Sequence, residues 1–166
     1  MTIGIMSAMP EEACLLAAAL AGATTRTHGG RTYITGELEC GGAAAERGGA
    51  GARVVVVYSR MGKVAAAATA QHLIDVHGVR SIVFTGVAGS LSRELRIGDV
   101  VVADELWQHD MDASPLFPAL EIPLLGVSSF RADAGIARRL RAGAEAFVRE
   151  DLAARMDSGT RRELGL

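Results

Sequence analysis

The sequence predicts an α/β fold: a mixed, mostly parallel sheet flanked by helices. Three observations carry the α/β class. Strand-like apolar runs alternate with helical patterns along the chain. Some of these runs are apolar at successive positions, as in Val54-Val55-Val56-Val57, the mark of strands covered on both faces. Glycine-rich or polar clusters follow several runs, where open α/β sheets place their ligand crevice.

The elements follow in order. Thr2–Ser7 is an Ile-containing run that predicts a first buried strand. Pro10 suits a first helical position, Glu11 and Glu12 fill an opening turn that favours carboxylates, and Leu15, Leu16 and Leu20 form an apolar stripe stopped by Gly22. A strand is expected at Arg31–Leu38, then a flexible Gly/Ala connection at 41–51, then a strand at 53–59. Gly62-Lys63-Val64 opens an alanine-rich helix to about His77, with Gly78 placed to end it. Strands follow at 81–85 and 97–105, a proline-rich loop at 110–123, and a helix at 132–152 carrying Ile136, Leu140, Ala144, Phe147 and Val148 at helical spacing. The final residues, 157–166, are polar. One domain spanning 1–166 is expected.

Composition narrows the function. The chain has 166 residues and a formal net charge of -2, which argues against nucleic acid as partner. No apolar run approaches the roughly 20 residues needed to span a bilayer. The start, Met1-Thr2-Ile3-Gly4-Ile5-Met6, has no basic segment before its apolar stretch, so a secretory leader is not expected and a cytoplasmic location is. Cys14 and Cys40 stand alone, without the spacing of a disulfide framework or a zinc site.

Several residues could carry chemistry. Glu12, in an opening helical turn, can be held ionised and accept a proton from water; an acidic pair can also merely decorate a helix start. Thr85-Gly86-Val87-Ala88-Gly89 is a small-residue turn after a strand, whose glycines permit positive φ or close approach of a flat ligand, without matching a phosphate-binding loop. Gly62 and Lys63 begin a helix and could meet an anion or a ribose hydroxyl. Met9 and Met61 suit the wall of a thioether or purine pocket, or a core. His109, Asp110 and Asp112 share a loop, but no other cluster completes a metal site, so none is expected. Trp107 is read as packing, and Cys14, placed on the apolar side of its helix, is not read as a nucleophile.

Five segments taken together resemble one family. Ile3 to Glu12, Ser59 to Ala67, Thr85 to Gly89, Ile97 to Val102 and His109 to Asp112 are similar, in order and spacing, to 5′-methylthioadenosine/S-adenosylhomocysteine nucleosidase of the purine nucleoside phosphorylase superfamily. The resemblance implies hydrolysis of an N-glycosidic bond, releasing adenine and a thioribose from an adenosine thioether, in a homodimer without metal or organic cofactor. It implies that Glu12 activates the attacking water, that Met9 and Met61 line the nucleoside site, and that Ala88 and Gly89 form the turn against which ribose and base lie. Phe117 is similar to an aromatic residue that reaches across the dimer to cover the 5′-thioalkyl group. Val87 departs from the serine found in some members.

The resemblance also implies a C-terminally incomplete domain. The family's Met-Glu pair, which holds the ribose hydroxyls, and its Ser-Asp pair, which protonates the leaving adenine, have no counterpart in 130–166; Met156-Asp157-Ser158 lies in the wrong setting. General acid catalysis supplies roughly 10²–10⁴-fold, so the chain alone is expected to be nearly inert. The alternatives are a related nucleoside hydrolase or phosphorylase, the latter offering Arg60 and Lys63 to phosphate, and a non-catalytic chain that binds purine nucleosides or associates with itself.

Overall fold

A computed structural model describes residues 2–39 and 51–151, together with 157 and 159. The chain forms two compact units, Met1–Gly89 and Ser90–Leu166. The expected flexible tract at 41–51 lies outside the described residues except for Gly51, as do Cys40 and most of the chain after 151.

The first unit is built on a five-stranded sheet in the order β2-β3-β4-β1-β5. Its strands are β1 (Thr2–Ser7), β2 (Leu20–His28), β3 (Arg31–Leu38), β4 (Ala52–Tyr58) and β5 (Ser81–Phe84). β1 runs parallel to both β4 and β5, whereas β2 and β3 form a hairpin whose second strand lies antiparallel to β4. The sheet is thus mixed, with its parallel half around β1.

Consecutive residues of the central strands are buried because each face is covered by a helix. On one face Met6, Val55, Val57 and Tyr33 pack with Leu73 of helix α2 (Lys63–Asp75) and with Val79 beyond it. On the other, Ile5, Val54 and Val56 pack with Ala13 and Leu20, joined by Leu16 and Ala17 of the short helix α1 (Cys14–Ala18). The alternation of side chains along a strand sends neighbouring valines of Val54–Val57 to opposite helical layers, so one apolar run supplies both cores.

The first helical segment is shorter than its apolar stripe predicts. A single 3-10 turn, Pro10–Glu12, leads into α1, which ends at Ala18, and Leu20 begins β2 instead of closing the stripe. Leu20 still reaches the core, but from a strand. Its continuation, Thr24-Thr25-Arg26-Thr27, is rich in β-branched residues and pairs with β3 through the two-residue turn Gly29-Gly30, both glycines at positive φ. Cys14 is exposed rather than on the apolar side of α1, its Sγ lying 3.8 Å from the Glu11 carbonyl oxygen.

In the second unit, β6 (Glu105–Trp107) and β7 (Ser129–Arg131) pair antiparallel. The strand expected at 97–105 does not form. A turn closes at Gly98, where the Asp99 carboxylate accepts the Arg96 N–H at 2.8 Å, and Val100 and Val101 follow it with no sheet partner among the described residues. Trp107, read as packing, is 54 % exposed. Helix α3 (Ala134–Ala146) is capped by the Asp133 carboxylate, which accepts the Ile136 N–H at 2.8 Å, and continues as a wider π turn at Phe147–Asp151. Residues 110–123 form turns, as expected. Among the described residues no helix is long and apolar enough to cross a membrane.

Candidate active site

The three parallel strands β4, β1 and β5 end side by side. Beyond the last strand pairings, the Ser59 N–H donates to the Ser7 carbonyl at 2.7 Å and the Thr85 N–H to the Met6 carbonyl at 2.9 Å, which keeps the departing chains in register. Each strand then delivers one candidate segment: Ala8 to Glu12 after β1, Arg60 to Lys63 after β4, and Gly86 to Gly89 after β5. This is the carboxyl edge at which open α/β sheets place ligands.

Glu12 joins two of these segments. Its Oε2 accepts the N–H groups of Ala8 and Met9 at 2.8 and 2.9 Å, and its Oε1 accepts that of Val87 at 3.1 Å. Local sequence explains the reach. Pro10 starts the 3-10 turn and places Glu12 at its third position, from which a carboxylate can turn back onto the free N–H groups preceding the helix. The Met9 N–H, then the Val87 N–H, hold the carboxyl below the ordinary glutamate value of 4.5; loss of water opposes this, and the Ala8 N–H adds to the lowering. The group is therefore an ionised carboxylate at neutral pH, partly open to solvent.

Of the two uses expected of the β5-turn glycines, positive φ and close approach of a flat ligand, the first is not realised. Neither Gly86 nor Gly89 has a positive φ. Gly86 instead gives room: a Cβ there would stand 2.8 Å from Glu12 Oε1.

The remaining expected residues divide by location. Met9 is half-buried beside Glu12, while Met61 is 78 % exposed after β4; Ala88 and Gly89 are exposed after β5. Val87, where some family members carry serine, offers its N–H to Glu12 and leaves its side chain exposed. Phe117 lies in the second unit, in the turns of the proline-rich loop, half-buried. Gly62 caps α2 with a φ of 101°, directing the helix N-terminus to the same sheet edge. The Arg60 guanidinium donates to the Gly30 carbonyl at 2.6 Å, and Arg31 donates to the carbonyls of Gly29, Ser59 and Ala65, so both arginines brace the β2–β3 turn against the β4 end.

Asp112 accepts the N–H and hydroxyl of Ser114, closing its own turn. Among the described residues no group of three His, Cys, Asp or Glu side chains is placed to hold a metal ion. A shallow cavity of about 320 Å³, lined by residues that include Gly36, Glu37 and Arg53, lies at the opposite end of β4.

One cluster escaped the sequence. His28, His72 and His77 gather around Tyr33, with ring centroids 4.3 Å apart for His28–His72, 4.6 Å for Tyr33–His72 and 5.0 Å for Tyr33–His77. The five-residue interval from His72 to His77 was the only signal, and it gains meaning only once β2, absent from the sequence reading, brings in His28.

Residues 2–160 match the model of the phosphorylase superfamily. The chain is 39% identical over 109 residues to the 5′-methylthioadenosine/S-adenosylhomocysteine nucleosidase of Mycobacterium tuberculosis, covering 66% of this chain and 38% of that protein. It is similar to the crystal structure of the Colwellia psychrerythraea nucleosidase in complex with adenine, with a TM-score of 0.78 and 31% identity over 90% of this chain and 57% of that one. The Streptococcus pneumoniae nucleosidase in complex with 8-aminoadenine gives a TM-score of 0.74 at 31% identity, over 86% of this chain and 58% of that one. The chain thus spans well under two thirds of the length of these relatives.

Proposed function

The chain belongs to the phosphorylase superfamily, and we propose that it is part of an enzyme that hydrolyses the N-glycosidic bond of 5′-methylthioadenosine and S-adenosylhomocysteine. The observation that carries this reading is the Glu12 carboxylate, held by the N–H groups of Ala8, Met9 and Val87 at the common edge of three parallel strands. The nucleosidases similar to this chain, with adenine or an aminoadenine bound in their crystals, support the substrate class.

In the proposed step, the water oxygen bonds to the anomeric carbon of ribose, its proton passes to Glu12, and the bond to adenine breaks with its electron pair on the base. Glu12 is suited to orienting and deprotonating that water as positive charge develops on the sugar, because an ionised carboxylate also stabilises an oxocarbenium-like state. Met9 and Met61 would line the nucleoside site, Ala88 and Gly89 would support ribose and base, and Phe117 would cover the thioalkyl group from the partner copy of a homodimer. Protonation of the departing adenine is assigned to no residue of this chain. Both units, 1–166, are read as portions of one nucleosidase-like domain in a cytoplasmic enzyme, supported by a family match that runs through both.

Hydrolysis is favoured over phosphorolysis because an ionised Glu12 is suited to activating water as the nucleophile. The test is adenine release from 5′-methylthioadenosine with and without phosphate, in whatever assembly of the chain is active. Release that is independent of phosphate and is lost in Glu12→Gln is expected. Release that requires phosphate, or that survives in Glu12→Gln, would overturn the proposal.

A further inference from the structure

Residue 86 is glycine for a reason its own backbone does not supply. Its φ lies outside the left-handed region occupied by Gly62 and Gly78, so no positive φ requires glycine there. What it lacks is space. A Cβ at this position would meet Glu12 Oε1 at 2.8 Å, Cδ at 3.1 Å and Oε2 at 3.3 Å. All three atoms of the carboxyl group are within reach, so the added carbon would stand over the flat of the carboxylate.

We propose that Gly86 is a positioning residue: its missing side chain lets the Glu12 carboxylate lie against the β5 turn and thereby fixes which carboxylate oxygen meets the attacking water. The inference rests on the hydrolytic reading of Glu12 given above. An ionised carboxylate offers about two acceptor sites on each oxygen. Among the described residues Oε2 accepts two N–H groups, those of Ala8 and Met9, while Oε1 accepts one, that of Val87. Oε1 therefore keeps an acceptor site, and it is the atom that takes the proton from water. A side chain at 86 pushes the carboxylate off the turn, breaks the Val87 bond and removes the distinction between the two oxygens.

Gly86→Ala tests this in the chain itself, with two readouts. The first is the titration of the Glu12 carboxyl carbon followed by ¹³C NMR: loss of the Val87 N–H should raise its midpoint toward the ordinary glutamate value. The second is the thermal midpoint, measured for Gly86→Ala in the natural background and in Glu12→Ala, where no carboxylate remains to be struck. The loss caused by Gly86→Ala should be at least halved in the Glu12→Ala background. If Gly86→Ala does not fold, recovery of folding by Glu12→Ala supports the inference equally. An unchanged Glu12 midpoint in folded Gly86→Ala, or an equal thermal loss in both backgrounds, would overturn it. Neither readout involves turnover, so these results separate failure of the positioning role from failure of the proposed reaction.

Discussion

Glu12 combines an observed task with a proposed one, and a sequence cannot separate them. As an acceptor for Ala8, Met9 and Val87 it stitches the β1 turn to the β5 turn, and as an ionised group it can draw a proton from water. Glu12→Gln keeps the size of the side chain but places an amide where three N–H donors converge. We expect adenine release, measured by coupled assay in whatever assembly is active, to fall about 10²-fold or more. Stability should fall as well, by about 1 kcal/mol or more in urea unfolding at pH 7. The folded-state value of Glu12 lies below 4.5, so its contribution is present above that pH and is lost as pH drops through the depressed folded value. Glu12→Gln should therefore flatten the fall in stability below pH 4.5; an identical fall in both proteins would contradict the role of the three N–H bonds.

At the scale of elements, the packing of α2 against the sheet is anchored by Leu73, which is fully buried against the β1, β3 and β4 side chains. Leu73→Ala should cost about 2–5 kcal/mol by chemical denaturation. The last turn of α2 also carries His72, stacked on His28 from β2 and close to His77 and Tyr33. Burial, then His28, lower the His72 value, with Asp75 opposing; burial, then His72 and Arg26, lower that of His77. Arg31, two residues before Tyr33 on β3, adds a positive charge beside it. Because the folded state resists protonation more than the unfolded chain, stability should decline as pH falls below 6.5, the ordinary histidine value. Thermal midpoints between pH 7.5 and about pH 5 should fall less in His72→Gln than in the natural chain; equal falls would exclude the cluster as the cause. β1 and β4 were legible because their apolar runs are buried on both faces, and α2 because an alanine-rich run lies between Gly62 and Gly78. β2 was not, since Leu20 matched a helical stripe and only its pairing with β3 shows otherwise. Val100-Val101-Val102 misled in the opposite direction: strand propensity without a neighbour makes no strand. At the site, the strand-end segments were readable as clusters, whereas the role of Gly86 lay in a contact with a residue 74 positions earlier in the chain.

The molecule as a whole is unevenly consolidated. Among the described residues the buried ones, from Gly4 to Val79, all belong to the first unit, and none of the second unit is buried. Amide hydrogen exchange should be slowest in β1 and β4 and faster by orders of magnitude through β6 and β7; comparable protection in both units would contradict this. The ends of β1, β4 and β5 are proposed to form a nucleoside site around Glu12. The most direct measurement is an NMR titration of the chain with 5′-methylthioadenosine. The amide signals of Ala8, Met9, Met61, Val87, Ala88 and Gly89 should shift together with one saturation curve. Signals at these strand ends that stay fixed while others move, or that do not respond at all, would contradict it.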